Sequence, residues 1–139
     1  MTYETVEDFF LNRIDIGRLF EFMERSEYLI LYNIQFCAQQ AGEDKVYMAE
    51  LAEQMKLSIT ETSRAVKALE DRGYVTWKTD ENKAHTFVRL TGKAKDAMAH
   101  QNEKMGKAYQ RILSEIPDDE MAQTVATLGK IREIIRQTP

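Results

Sequence analysis

Thr60, Ser63, Arg64 and Lys67 stand three and four residues apart in the run Ile59–Leu69. At helical spacing they share one face, which carries two hydroxyls, a guanidinium and an ammonium. Such a set complements the acceptor edge of guanine and the phosphate oxygens beside it, and the Arg fork suits bidentate pairing. Thr62, Ala65, Val66 and Leu69 form the opposite, apolar stripe, which must be buried. A solvated helix face with a surface ion pair is the competing reading for Arg64. Thr60 and Ser63 are equally readable as bystanders.

The flanking residues predict how this face is held. Ser58 and Glu61 have the S-x-x-E spacing of a capping box, so the helix starts sharply after Leu57. Gly73, preceded by Arg72, predicts its end. Upstream, Met48, Leu51, Ala52 and Met55 fall on one face of a second short helix. The interval Lys56-Leu57 is short enough for a helix-turn-helix, although it lacks the Gly often found in that turn. Downstream, Tyr74–Lys78 and Thr86–Leu90 are rich in β-branched and aromatic residues and predict a hairpin around the polar stretch Asp80-Glu81-Asn82-Lys83. Helix, turn, helix, hairpin is a winged-helix pattern. Lys78, Lys83 and Arg89 are expected to track phosphates if the wing lies along a duplex; for Arg89 the alternative is a side chain in solvent or toward Asp80.

Charge is distributed accordingly. The chain has 139 residues and a net charge of −4, yet residues 45–95 hold ten Lys/Arg against seven Asp/Glu. The remainder is strongly acidic. A module of +3 gives little affinity for DNA in one copy, so two copies are expected to act together. No uncharged run is long enough to span a membrane, and the acidic N-terminus is unlike a signal peptide. The single cysteine, Cys37, makes no internal disulfide and sits in an apolar helix, which favours inert core over a redox sensor. A cytoplasmic location is the default expectation.

The remaining elements are expected to be helical supports. Val6–Met23 predicts a first helix with Val6, Phe9, Phe10, Ile14 and Phe20 on its apolar face. Glu27–Gln40, capped by Ser26, is apolar nearly all round and predicts a buried central strut. Lys45-Val46-Tyr47 predicts a short edge strand. Thr91 caps a long helix over Gly92–Glu115, whose polar stretch His100–Lys104 is expected to cross open solvent. Pro117 breaks it, and Asp118-Asp119-Glu120 open a last helix lined by Met121, Val125, Leu128, Ile131 and Ile135. The fold class expected is mainly α with a small β-hairpin wing. It forms one domain over 1–139, in which 45–91 is the winged helix-turn-helix and 1–44 with 92–139 form a dimerisation platform. A two-fold homodimer would present two recognition helices to a pseudo-palindromic site.

The chain resembles the MarR (multiple antibiotic resistance regulator) family over nearly its whole length. The resemblance is carried by Met48-Ala49-Glu50-Leu51-Ala52, by the run from Thr62-Ser63-Arg64-Ala65-Val66-Lys67 to Asp71-Arg72-Gly73-Tyr74-Val75, by Val88-Arg89-Leu90-Thr91 and by Ile116-Pro117-Asp118-Asp119-Glu120. It implies a homodimeric regulator that binds double-stranded operator DNA, in many cases as a repressor released by a small-molecule effector. An effector pocket between platform and DNA module would draw on Phe10, Tyr28, Tyr32 and Phe36, although aromatics at helical spacing are more often plain core. Two positions depart from the family: Ala84 stands where its wing carries Arg, and Ile59 where its recognition helix starts with a small residue or Pro.

No nucleophile–base pair and no Gly-rich phosphate loop is present, and His85 and His100 lack a ligand constellation. Neither catalysis nor a cofactor or metal is expected. The alternative of a different class is a winged-helix protein-interaction module without specific DNA binding, which the acidic balance and Ala84 favour and the Arg64/Lys67 face opposes.

Overall fold

The computed structural model describes residues 1–13, 15–81 and 85–139. Ile14, Lys83 and Ala84, to which the sequence reading gave roles, lie outside the described residues. The chain divides into two compact units, Met1–Asn102 and Glu103–Pro139. Among the described residues, the elements are α1 (Tyr3–Asp8), α2 (Arg25–Ala41), β1 (Val46–Tyr47), α3 (Met48–Met55), α4 (Ile59–Asp71), β2 (Val75–Thr79), β3 (Thr86–Leu90), α5 (Gly92–Glu115) and α6 (Asp118–Gln137). No described helix is long and apolar enough to cross a membrane.

In the first unit, α2 packs against α3, α4 and a three-stranded antiparallel sheet of order β1-β3-β2. The expected edge strand is formed: Val46 pairs with Val88 and Tyr47 with Phe87. The core joins Leu31 and Ile34 of α2, Leu51 of α3, Val66 and Leu69 of α4, and Val75 and Val88 of the sheet. Each such side chain stabilises the fold by about 1.5–3 kcal/mol relative to an exposed position. Their shared burial fixes the orientation of α4, because its apolar stripe can face only this core.

Three expectations are corrected. The predicted first helix is broken: α1 is followed by a π-helical turn at Phe9–Arg13 and a separate 3₁₀ turn at Ile16–Leu19. For residues 19–22 the physical reason lies far along the chain. The Gln101 side chain, fully buried, donates to Leu19 O at 2.5 Å and accepts from the amides of Glu21 and Phe22 at 3.0 and 3.1 Å. Those bonds satisfy backbone groups that a continuous helix would have paired internally. They also correct the second expectation, since Gln101 lies in the polar stretch expected to cross open solvent.

The third correction concerns α2. Its N-cap is Glu24, whose amide donates to the Glu27 carboxylate at 3.3 Å, so Ser26 is not the cap. Only one side is buried, through Leu31, Ile34 and Ala38, while Leu29, Tyr32 and Phe36 are exposed. At its far end Gly42 takes a left-handed conformation with φ of 67°, open to a residue without Cβ.

In the second unit, α6 follows Pro117 with Asp118, Asp119 and Glu120 in its first turn, as the break and the dipole argument predict. It has no buried residue. Val125, Leu128, Ile134 and Ile135 are exposed, as are Ile112 and Leu113 near the end of α5.

Candidate nucleic-acid interface

The helix-turn-helix is built by two local devices. At its turn, Lys56 adopts φ of 59°, the left-handed region that the missing Gly would ordinarily occupy. The Leu57 and Lys56 amides donate back to Ala52 O and Glu53 O at 3.0 and 3.2 Å, closing α3. At the start of α4, Ser58 Oγ accepts from the Glu61 amide at 3.0 Å, the first half of the expected capping box. Thr62 Oγ1 donates to Ser58 O at 2.8 Å, which satisfies a hydroxyl that is otherwise buried. Gly73, at φ of 80°, ends the helix, and the Tyr74 amide bonds back to Leu69 O at 3.0 Å.

Thr62, Val66 and Leu69 are buried as expected. The opposite face separates into unequal parts. Arg64 is exposed, and among the described residues nothing holds its guanidinium. Thr60 is exposed beside it, one turn back. Lys67 is engaged within the helix: its Nζ lies 3.1 Å from Asp71 and 3.2 Å from Glu70. Asp71 first, then Glu70, raise the Lys67 pKa, so this group stays charged while its field is partly neutralised by its own neighbours. Ser63 is half-buried.

Ser63 borders a cleft of about 180 Å³ between α4 and the base of the wing, lined also by Tyr47, Ile59, Trp77, His85 and Thr86. Composition alone did not reveal this cleft. Its signal lay in the register that brings Trp77 and Thr86 beside the helix start. The hairpin closes with the Asp80 amide donating to His85 O at 2.7 Å, and Tyr47 Oη bonds to the Asp80 carboxylate at 3.2 Å.

The sheet register sorts the wing cations. Trp77 pairs with Val88 and Val75 with Leu90, on the core side. Thr76 pairs with Arg89 and Lys78 with Phe87, so Lys78 and Arg89 share the outer face. Lys45, which the sequence reading did not assign, joins them: its Nζ is 4.6 Å from the Phe87 ring centre, and Arg89 Cζ is 4.9 Å from it. Arg89 also pairs with Asp44 at 3.3 Å, rather than with Asp80. Lys78 is exposed on this face.

The four aromatic residues considered for an effector pocket are distributed as follows. Tyr28 stacks on Tyr32 at 6.5 Å between ring centres and meets Phe20 edge-on at 5.6 Å. Phe36 is exposed one turn beyond Tyr32, and Phe10 contacts Phe9 in the π-helical turn. A separate open cleft of about 450 Å³ lies at the start of α2, lined by Phe20, Glu24, Arg25, Glu27 and Arg72 among others. Among the described residues no group of His, Cys, Asp or Glu has the arrangement of a metal site.

The winged helix DNA-binding domain family matches residues 23–94, more than half of the chain and all of the helix-turn-helix and its wing. The chain belongs to that family. No curated protein matches the sequence. Among solved structures, a mutant of MarR from E. coli complexed with operator DNA has a TM-score of 0.64 at 19% identity, over 78% of this chain and 75% of that one. The organohalide sensing RdhR transcriptional regulator in its 2,4-dichlorophenol bound form has a TM-score of 0.73 at 19% identity, over 96% and 81%. MarR from Staphylococcus aureus, in complex with salicylate and kanamycin, has a TM-score of 0.66 at 19% identity, over 99% and 89%. The winged helix thus carries the MarR fold, as the resemblance in sequence implied, and the mainly α fold with a small sheet is borne out.

Proposed function

We propose that this winged helix is a sequence-specific transcriptional regulator, a homodimer that represses through a pseudo-palindromic operator. The observation that carries the reading is the unengaged, exposed Arg64 on a helix whose other face is locked into the core. A guanidinium held outward by a rigid helix is placed for bidentate readout of guanine in a major groove. Thr60, Ser63 and Lys67 would contact the same groove or its phosphates. Lys78, Lys83 and Arg89 would follow the backbone beside the wing, with Arg89 weakened by Asp44.

Dimerisation through the helical platform, residues 1–44 and 92–139, belongs to the same proposal. It is supported by the apolar face that α6 leaves uncovered, on which Val125, Leu128 and Ile135 are all exposed. Release by a small molecule is proposed from the relatives crystallised with salicylate or a chlorophenol, with Phe10, Tyr28, Tyr32 and Phe36 as the candidate contacts. We read no catalytic role in any described cleft.

A mobility-shift titration with DNA upstream of the protein's own operon, against a shuffled duplex of equal length, tests the reading. The proposal expects preferential retention of the upstream duplex, steeply weakened by salt. Equal retention of both would instead favour the protein-interaction reading.

A further inference from the structure

Ile59 is the first residue of α4, directly after its Ser58 cap, and it is 56% exposed. That is an unusual place for a bare aliphatic side chain, because the surrounding face is Thr60, Glu61, Ser63 and Arg64. Ile59 also has few side-chain conformations open to it. Its inner side borders the cleft formed with Ser63, Tyr47 and Trp77, and β-branching restricts χ1. What remains outside is an apolar surface, one turn ahead of Ser63 on the side that faces the wing.

We infer that Ile59 reads a thymine in each half-site by packing against its C5-methyl group. The inference rests on the DNA-reading function proposed above and adds a specificity residue to it. The N-terminal residues of a recognition helix are the ones that meet base edges. Ile offers neither donor nor acceptor, so it gains nothing from the polar edges of guanine, adenine or cytosine. Thymine alone of the four bases presents a methyl group in the major groove. Placed over cytosine or a purine, Ile59 would bury polar base atoms without partners, which disfavours those bases.

The test begins with enrichment of binding sites from a random duplex library by the full chain, in parallel with Ile59→Ala and Ile59→Val. Deoxyuridine then replaces each thymine of the enriched site in turn, which removes only the methyl group. One position per half-site is expected to lower wild-type affinity about fourfold when the methyl is lost, the factor carried by one buried methyl. At that position the replacement should change the affinity of Ile59→Ala by less than about twofold, while Ile59→Val retains the wild-type response. The thymine preference at that position should vanish from the Ile59→Ala enrichment, with preferences elsewhere preserved. An enriched site in which no thymine shows methyl dependence, or in which Ile59→Ala responds as the wild type does, overturns the assignment and leaves DNA reading intact. Enrichment of no sequence at all overturns both.

Discussion

Arg72 Nη1 lies 2.9 Å from Glu27 Oε2, an ion pair that joins the end of the recognition helix to the first turn of α2. The two partners differ in environment: Glu27 is nearly buried, while the Arg72 side chain is half exposed. Glu27 also accepts from the Glu24 amide. The pair therefore closes a helix cap and anchors α4 with one carboxylate.

Loss of Arg72 should leave that carboxylate short of its strongest partner. Arg72→Ala is expected to lower unfolding free energy by about 1–3 kcal/mol in urea titrations. Arg111→Ala, which removes an exposed pair with Glu115, should change it by less than about 1 kcal/mol. Equal effects from the two substitutions would contradict the anchoring role.

Gln101→Leu tests what holds residues 19–22 out of the helix. Three backbone groups, at Leu19, Glu21 and Phe22, depend on this side chain. The substitution is expected to destabilise the chain by about 2–3 kcal/mol. More specifically, hydrogen exchange at the Glu21 and Phe22 amides should accelerate well beyond that of amides in α3. Unchanged exchange there would show that something else holds the segment.

Lys56→Gly should stabilise the turn. A residue with a Cβ at φ of 59° carries strain of about 1–2 kcal/mol, and part of it is offset by the greater freedom of Gly in the unfolded chain. A net gain of about 0.5–1 kcal/mol in thermal or chemical unfolding is expected. A loss of stability would mean that Lys56 makes a contact more valuable than its strain.

Cys37 should be a slow thiol. Burial, and then the Glu50 carboxylate, push its pKa above the ordinary cysteine value. Less thiolate is present at neutral pH than in a free cysteine, so alkylation at pH 7 should be slower than that of a model thiol and should rise as the pH approaches the raised pKa. Cys37→Ser should leave DNA affinity unchanged with or without mild oxidant. Oxidant-dependent release that disappears in Cys37→Ser would restore the sensor reading.

The recognition helix was legible because its signals are local. The Ser58 cap, the stripe Thr62, Val66 and Leu69, and the stop at Gly73 all act within a few residues of one another. The hairpin and the edge strand were legible for the same reason. The end of the N-terminal segment was not, because the side chain that holds residues 19–22 out of a helix lies some 80 residues further on. Apolar composition likewise could not tell which side of α2 is covered, since Leu29, Tyr32 and Phe36 look no different in sequence from Leu31, Ile34 and Ala38. At the candidate interface, the exposure of Arg64 follows from helical spacing. The neighbours of Lys67 were visible at the spacings of helical ion pairs, yet their competition for its charge emerged only from the geometry. Lys45 and the cleft beside Ile59 depended on strand register, which composition does not carry.

Arg64 is the group proposed to read base sequence, and one ratio tests that role directly. Fluorescence anisotropy would give the affinity of wild type and Arg64→Ala for the enriched duplex and for a scrambled duplex of the same composition, at fixed salt. The ratio of specific to scrambled affinity should fall at least about 30-fold on the substitution, because a homodimer loses one bidentate guanine contact from each half-site, while scrambled binding falls much less. An unchanged ratio, with both affinities weakened equally, would make Arg64 a phosphate contact and contradict its reading of bases.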